Sequence, residues 1–224
     1  MAVRVSNDAG VSFCIDSTEV TVSQYQVFVD AKKGDMSGQI TPDCDFNTTY
    51  EPRTEDGGAP PRSAQGDIPV GLVDWCDAYA YCKWANKRLC GRIGGGPAPF
   101  ALPGDATESQ WMFACSAGGA HPYAYGATFD TNACNDGETY SDIAPVKKFP
   151  KCTGGFPGLF DMSGNVEEWE DSCDGQGHCN TRGGSAWDER YTKDHKEVFS
   201  CGVTFGDDWI DERYEDVGFR CCSP

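Results

Sequence analysis

The chain has only three histidines, His121, His178 and His195, and they stand far apart. That scarcity argues against the facial triads that hold non-haem iron. No Cys-x-x-Cys pair occurs, so structural zinc is a poor account of the cysteines that are present. No apolar run approaches the length of a membrane span. Positive charge is scarce: 18 Lys and Arg against 35 Asp and Glu give a net charge of −17. This balance repels nucleic acid and anionic membrane, and it suits a soluble, calcium-tolerant extracellular surface. We find no internal repeat and no linker between two cores, so residues 1–224 read as one domain. Met1-Ala-Val-Arg-Val runs directly into polar sequence, which reads as a chain without a signal peptide.

Cysteine, by contrast, is abundant. Thirteen in 224 residues would be a burden of idle thiols in a reducing cytosol. A disulfide framework in an oxidising compartment fits better: secreted or extracellular, with cell surface or periplasm also compatible. The odd count leaves at least one thiol free or bonded to another chain.

Three short helices are expected. Thr21-Val-Ser-Gln24 forms a capping box ahead of Tyr25 and Val29. Asp74 can cap a helix reaching Asn86, with Trp75, Ala78, Tyr79, Cys82 and Ala85 at helical spacing. Thr107-Glu-Ser-Gln110 reads as a further capping box before a helix from Trp111 to Ala117. Residues 51–67 and 91–104 are rich in Gly and Pro and read as loops, and Ala144 to Phe149 is strand-like. The pattern is that of one compact, loop-rich α+β domain.

The segment Gly158-Leu-Phe-Asp-Met-Ser-Gly-Asn-Val-Glu-Glu-Trp-Glu-Asp171, followed by Arg182-Gly-Gly-Ser185 and Val217-Gly-Phe-Arg-Cys-Cys222, resembles the formylglycine-generating enzyme (sulfatase-modifying factor) family. Phe13 to Thr21, Pro69 to Leu89, Leu102-Pro103, Thr107 to Gly119 and Tyr123 to Gly126 extend the resemblance in the family's order. It implies a single irregular C-type-lectin-like α+β domain with few short helices, a small twisted antiparallel sheet and several disulfides.

The same resemblance implies chemistry that the sequence then qualifies. The family's oxidases hold copper through two cysteines three and eight residues beyond the Gly-Gly-Ser serine. Counted from Ser185, those positions are Asp188 and Lys193, and neither can replace a thiolate on Cu(I). The related sulfoxide synthases bind iron through histidines of an additional helical domain that this sequence does not contain. No copper or iron is therefore expected, and no catalytic residue is assigned.

Structural calcium is expected instead, at one or two sites carried over from the family. One comprises the Asp161 and Glu168 side chains with the Gly164 and Val166 carbonyls. The other comprises Asn135, the Asp136 carbonyl, Glu138 and the Tyr140 carbonyl. Oxygen donors of this kind suit hard Ca²⁺. The family's usual Trp at position 167 is Glu167 here, a third acid beside the first set.

Family bridges correspond to Cys82–Cys221 and Cys115–Cys201; closing such long loops stabilises by ~4–5 kcal/mol each in the chain-entropy model. Cys173–Cys179 and Cys134–Cys152 are plausible local pairs, and Cys14–Cys44 would pin the N-terminal segment. That leaves Cys76, Cys90 and Cys222, one of them unpaired.

In this fold the segment between Gly-Gly-Ser and Gly-Phe-Arg forms much of the exposed face. Trp187, Asp188, Tyr191, Trp209 and Tyr214 are its candidate ligand-contacting residues, because aromatics interleaved with charge make recognition surfaces for proteins or sugars. Asn47-Thr-Thr49 matches a glycan acceptor. The reading is a non-catalytic, calcium-stabilised extracellular binding or assembly module whose protein or glycan partner the sequence does not identify. The alternatives are an active oxidase of the formylglycine-generating type and a self-associating surface or filament subunit.

Overall fold

The computed structural model describes residues 1–7, 9–40, 42–54, 66–187 and 196–224. A hairpin of β1 (Ala2–Ser6) and β2 (Ser12–Asp16) opens the chain, followed by helices α1 (Val22–Lys32) and α2 (Trp75–Trp84). After β3 (Arg88–Leu89) and α3 (Gln110–Cys115), a long stretch without regular structure leads to β4 (Glu167–Cys173) and β5 (His178–Arg182). A 3-10 turn over Lys196–Phe199 precedes β6 (Thr204–Trp209), β7 (Val217–Phe219) and β8 (Cys221–Ser223).

The strands form two four-stranded sheets, in the orders β1-β2-β8-β3 and β6-β5-β4-β7. The expected α+β fold with few short helices and a small, mostly antiparallel sheet is observed; its strands divide into two sheets, and the second contains one parallel pair, β4 with β7. The reason lies in the last residues of the chain. β7 joins one sheet and β8 the other, with Arg220 alone between them.

Local sequence explains the helices. Thr21 caps α1 with a complete capping box through Gln24, and Asp74 caps α2 with a box through Asp77. α2 stops at Trp84, short of Asn86, because Asn86 adopts a left-handed φ of 57° and turns the chain into β3. The cap of α3 is Ser109, whose hydroxyl accepts from the Met112 amide at 3.0 Å. Thr107 is instead held by Asp105 outside the helix. Ala144 to Phe149 is not a strand: Val146 N–H bonds to the Asp67 carbonyl, and Lys147 has φ 65° with its N–H on the Asp161 carboxylate.

Two cores result. Tyr25, Phe28 and Tyr81 of the helices meet Trp169 and Phe219 of the second sheet. Phe13 and Ile15 of β2 meet Trp111, Phe113 and Met162 in the other.

All thirteen cysteines are described. Twelve form the pairs Cys44–Cys76, Cys82–Cys221, Cys90–Cys222, Cys115–Cys201, Cys134–Cys152 and Cys173–Cys179. The expected Cys14–Cys44 pair is not formed, and Cys14, not Cys76, Cys90 or Cys222, is the free thiol. Strand alternation is the cause. Phe13 and Ile15 take the buried face of β2, so Cys14 points to the other face, half-buried. Cys44 lies in the other core, packed with α2, which supplies its partner Cys76.

Candidate functional site

β4 carries three glutamates in four positions, and its pleat sends them two ways. Glu168 faces the interior, where Arg220 Nε donates to Oε2 and Nη2 to Oε1, both at 2.7 Å. Trp111 Nε1 adds a third bond to Oε2 at 2.9 Å. Glu170 repeats the arrangement one pleat further on, accepting from Arg182 Nε at 2.6 Å and from the Ser109 hydroxyl. Both pairs are almost fully buried, so they lock the two sheets and α3 together by charge-assisted bonds.

This geometry bears on the first calcium set. Glu168, its second carboxylate, already has its charge compensated by Arg220 and both oxygens bonded. Asp161, at φ 58°, accepts from the Lys147 amide at 2.6 Å, and burial pushes its carboxyl up to about 6. These residues do not fit a two-carboxylate calcium cage. Among the described residues, no three His, Cys, Asp or Glu side chains group so as to hold a metal ion.

The second set lies directly beside the first. Asn165 N–H bonds to the Asn135 carbonyl at 2.8 Å, and Asn135 Nδ2 donates to Asn165 Oδ1 at 3.1 Å and to the Asp142 carbonyl at 2.8 Å. A Cβ on Gly164 would stand 2.1 Å from the Asn135 carbonyl oxygen, so only glycine allows this approach. Asn135 is buried, yet its Oδ1 has no hydrogen-bond partner. An orphaned buried acceptor is what an oxygen-liganded cation satisfies, so this set fits Ca²⁺ better than the first. Asp136 Oδ1 accepts from the Glu138 amide at 3.1 Å, and the Tyr140 ring lies under Lys148 Nζ.

Glu167, the third acid expected beside the first calcium set, points the other way from Glu168 and lines a separate cleft. It contributes to an open cleft of about 410 Å³ formed with Asp208, Trp209, Glu212, Tyr214, Asp216 and Val217. Trp209 is 48 % exposed and Tyr214 40 %, whereas Glu167 and Val217 are buried. Thr181 Oγ1 lies 2.7 Å from both Glu167 Oε2 and Asp208 Oδ2, so its single proton serves two carboxylates. His178 packs on the Trp209 ring with centroids 4.1 Å apart, and its Nδ1 lies 2.9 Å from Asp174 Oδ2.

The wall of this cleft is anchored from behind. Arg213, between Glu212 and Tyr214, reaches Asp74 at 2.7 Å and Asp77 at 3.0 Å, and donates to Asn47 Oδ1 and the Thr49 and Glu51 carbonyls. Gly71 completes the fit, because a Cβ there would lie 2.1 Å from the Glu215 carbonyl oxygen. The Asn47 side chain is consumed by this network, donating to Asp77 Oδ1 at 2.7 Å, and it is buried. The Asn47-Thr-Thr49 tripeptide is therefore a structural joint in the folded chain.

Of the expected surface residues, Trp209 and Tyr214 share the cleft. Trp187 does not line it; it packs on Ile68, Ile143 and Val166. Asp188, Tyr191 and Lys193 lie outside the described residues. Sequence reasoning missed Asp208, Glu212, Asp216 and Arg213 as site residues. The Trp-to-Glu departure at position 167 was the available signal, and strand alternation gave its direction.

The profile described as sulfatase-modifying factor enzyme 1-like domain matches residues 6–223. The chain belongs to this family. The sulfatase-modifying factor chain is 31% identical over 173 residues to the inactive C-alpha-formylglycine-generating enzyme 2 of Mus musculus, covering 70% of this chain and 49% of that protein. It is 29% identical over 211 residues to the formylglycine-generating enzyme of Bos taurus, covering 75% and 50%. The chain thus spans about half the length of the curated relatives it matches. Among solved structures, PvdO from Pseudomonas aeruginosa shares the fold at TM-score 0.60 and 19% identity, covering 95% of this chain and 80% of that one. Treponema denticola variable protein 1 does so at 0.59 and 19%, covering 100% and 92%.

Proposed function

We propose that this chain is a non-catalytic binding module on the sulfatase-modifying factor scaffold. One observation carries the reading: twelve of the thirteen cysteines are in disulfides, and the only free thiol is Cys14 on β2. A Cu(I) site of the family's kind needs two thiolates at one point. The likeness to a relative named inactive supports the reading, while the likeness to formylglycine-generating enzymes keeps the oxidase as the alternative. Competition against a Cu(I) chelator separates them. The module leaves the chelator loaded, and stoichiometric copper capture overturns the reading.

Six disulfides support an oxidising compartment, extracellular or periplasmic. No helix among the described residues is long and apolar enough to cross a membrane. The binding face we assign is the cleft of Trp209 and Tyr214, whose partner is a protein or a glycan. Structural calcium belongs to the Asn135 set, where Asn135 Oδ1 and Glu138 with the Asp136 and Tyr140 carbonyls would hold it. The ion would fix the loop beside the Ser163-Gly164-Asn165 turn.

A further inference from the structure

We propose that the Cys173–Cys179 disulfide is a thiol–disulfide exchange site for a dithiol reductant, and that its redox state sets how firmly Trp209 is held. The proposal does not depend on the binding-module reading. Three observations converge. The first is access. Eleven of the twelve disulfide cysteines are buried, and Cys173 alone is half-buried. It ends β4, beside a turn whose Gly175 and Gln176 are exposed. Exchange requires an attacking thiolate to reach one sulfur of the pair, so access separates this bridge from the other five.

The second observation is that the fold can lose this bridge. It spans 6 residues of sequence, whereas the others span 18 to 139. The stabilisation a bridge contributes through the unfolded chain grows with loop length, so its loss costs the fold least. The turn also keeps its own ties. The Asp174 carboxylate accepts from the Gln176 and His178 amides at 2.7 and 3.0 Å, and Asp174 N–H bonds to the His178 carbonyl at 3.0 Å.

The third is what the bridged turn supports. His178 stands opposite Trp209 across β5 and β6, and its ring packs on the indole at 4.1 Å between centroids. Gly177 lies against the same ring, since a Cβ there would stand 3.2 Å from it. Ile210 N–H bonds to the Gly177 carbonyl at 2.8 Å. Trp209, 48 % exposed, therefore leans on residues that the bridge encloses.

The exchange runs in two displacements. One thiolate of the dithiol attacks Cys173, forming a mixed disulfide and releasing Cys179 as a thiolate. The second thiol of the reductant then displaces Cys173 and closes the reductant's own disulfide. Two electrons pass to the protein, and the two dithiol protons end on Cys173 and Cys179 through solvent.

The test is graded reduction of the native full chain with dithiothreitol, quenched with iodoacetamide and mapped by mass spectrometry. Cys173 and Cys179 should acquire label together, at least ~10-fold faster than any other bridged cysteine, with the far-UV circular dichroism unchanged. Tryptophan emission should shift in step with that labelling in the parent, but not in Trp209→Phe. The double variant Cys173→Ser with Cys179→Ser should show the shifted emission before any reductant is added. Earlier or simultaneous reduction of another bridge overturns the inference. So does an emission that reduction leaves unchanged, or one that shifts equally in Trp209→Phe.

Discussion

Arg220 clamps Glu168 through two 2.7 Å hydrogen bonds at the point where the chain leaves one sheet for the other. Both side chains are buried, 0 % and 1 % exposed. Replacing Arg220 by Met leaves the Glu168 carboxylate buried without its counter-ion and should cost ~3–5 kcal/mol in denaturant unfolding. The double change Glu168→Met with Arg220→Met should recover part of that loss. A single variant as stable as the parent would show that the clamp is not structural.

The Asp74–Asp77–Arg213 cluster makes stability depend on pH. Burial, with the Asp74 charge second, pushes the Asp77 carboxyl from 3.8 up to about 8. The folded chain therefore binds this proton more tightly than the unfolded one. The contribution is full below 3.8 and is lost as pH rises through about 8. The melting temperature should fall across that window, and Asp77→Asn should flatten the fall. A parent Tm that rises steadily over the same range contradicts the assignment.

Cys14 is the free thiol, and its position makes a counting experiment decisive. Alkylation in denaturant without reductant should label one cysteine per chain, and peptide mapping should place it at Cys14. A label on Cys76, Cys90 or Cys222, with Cys14 unlabelled, is the result that the pairing first expected would give and would contradict this assignment.

Calcium gives a separate outcome at the Asn135 set. Added Ca²⁺ should raise the melting temperature, by the equivalent of ~2.7 kcal/mol at 100-fold excess over Kd. Asn135→Ala should abolish the rise. If chelator and calcium leave the parent's melting curve unchanged, the set holds no ion.

Much of the scaffold was legible because it is written in short-range signals. Thr21 with Gln24 and Asp74 both appear as caps, and the Gly158 to Asp171 segment carried the family. What escaped depends on which residues face each other at long range. Cys14 against Cys44 could not be refused without knowing that β2 lies between β1 and β8. Glu168 reads as a calcium ligand in sequence, because its partner Arg220 is 52 residues away. Glu167 reads as its companion until the pleat of β4 turns it into the cleft. The cleft acids sit in Asp- and Glu-rich sequence, where solvated charge and site charge look alike.

The most direct test of the central claim is turnover. The full chain is incubated with copper, reductant, oxygen and a cysteine-containing sulfatase peptide, and the peptide is followed by mass spectrometry. A binding module leaves the cysteine unchanged at every copper concentration. Copper-dependent conversion of that cysteine to formylglycine over more than one cycle would contradict it.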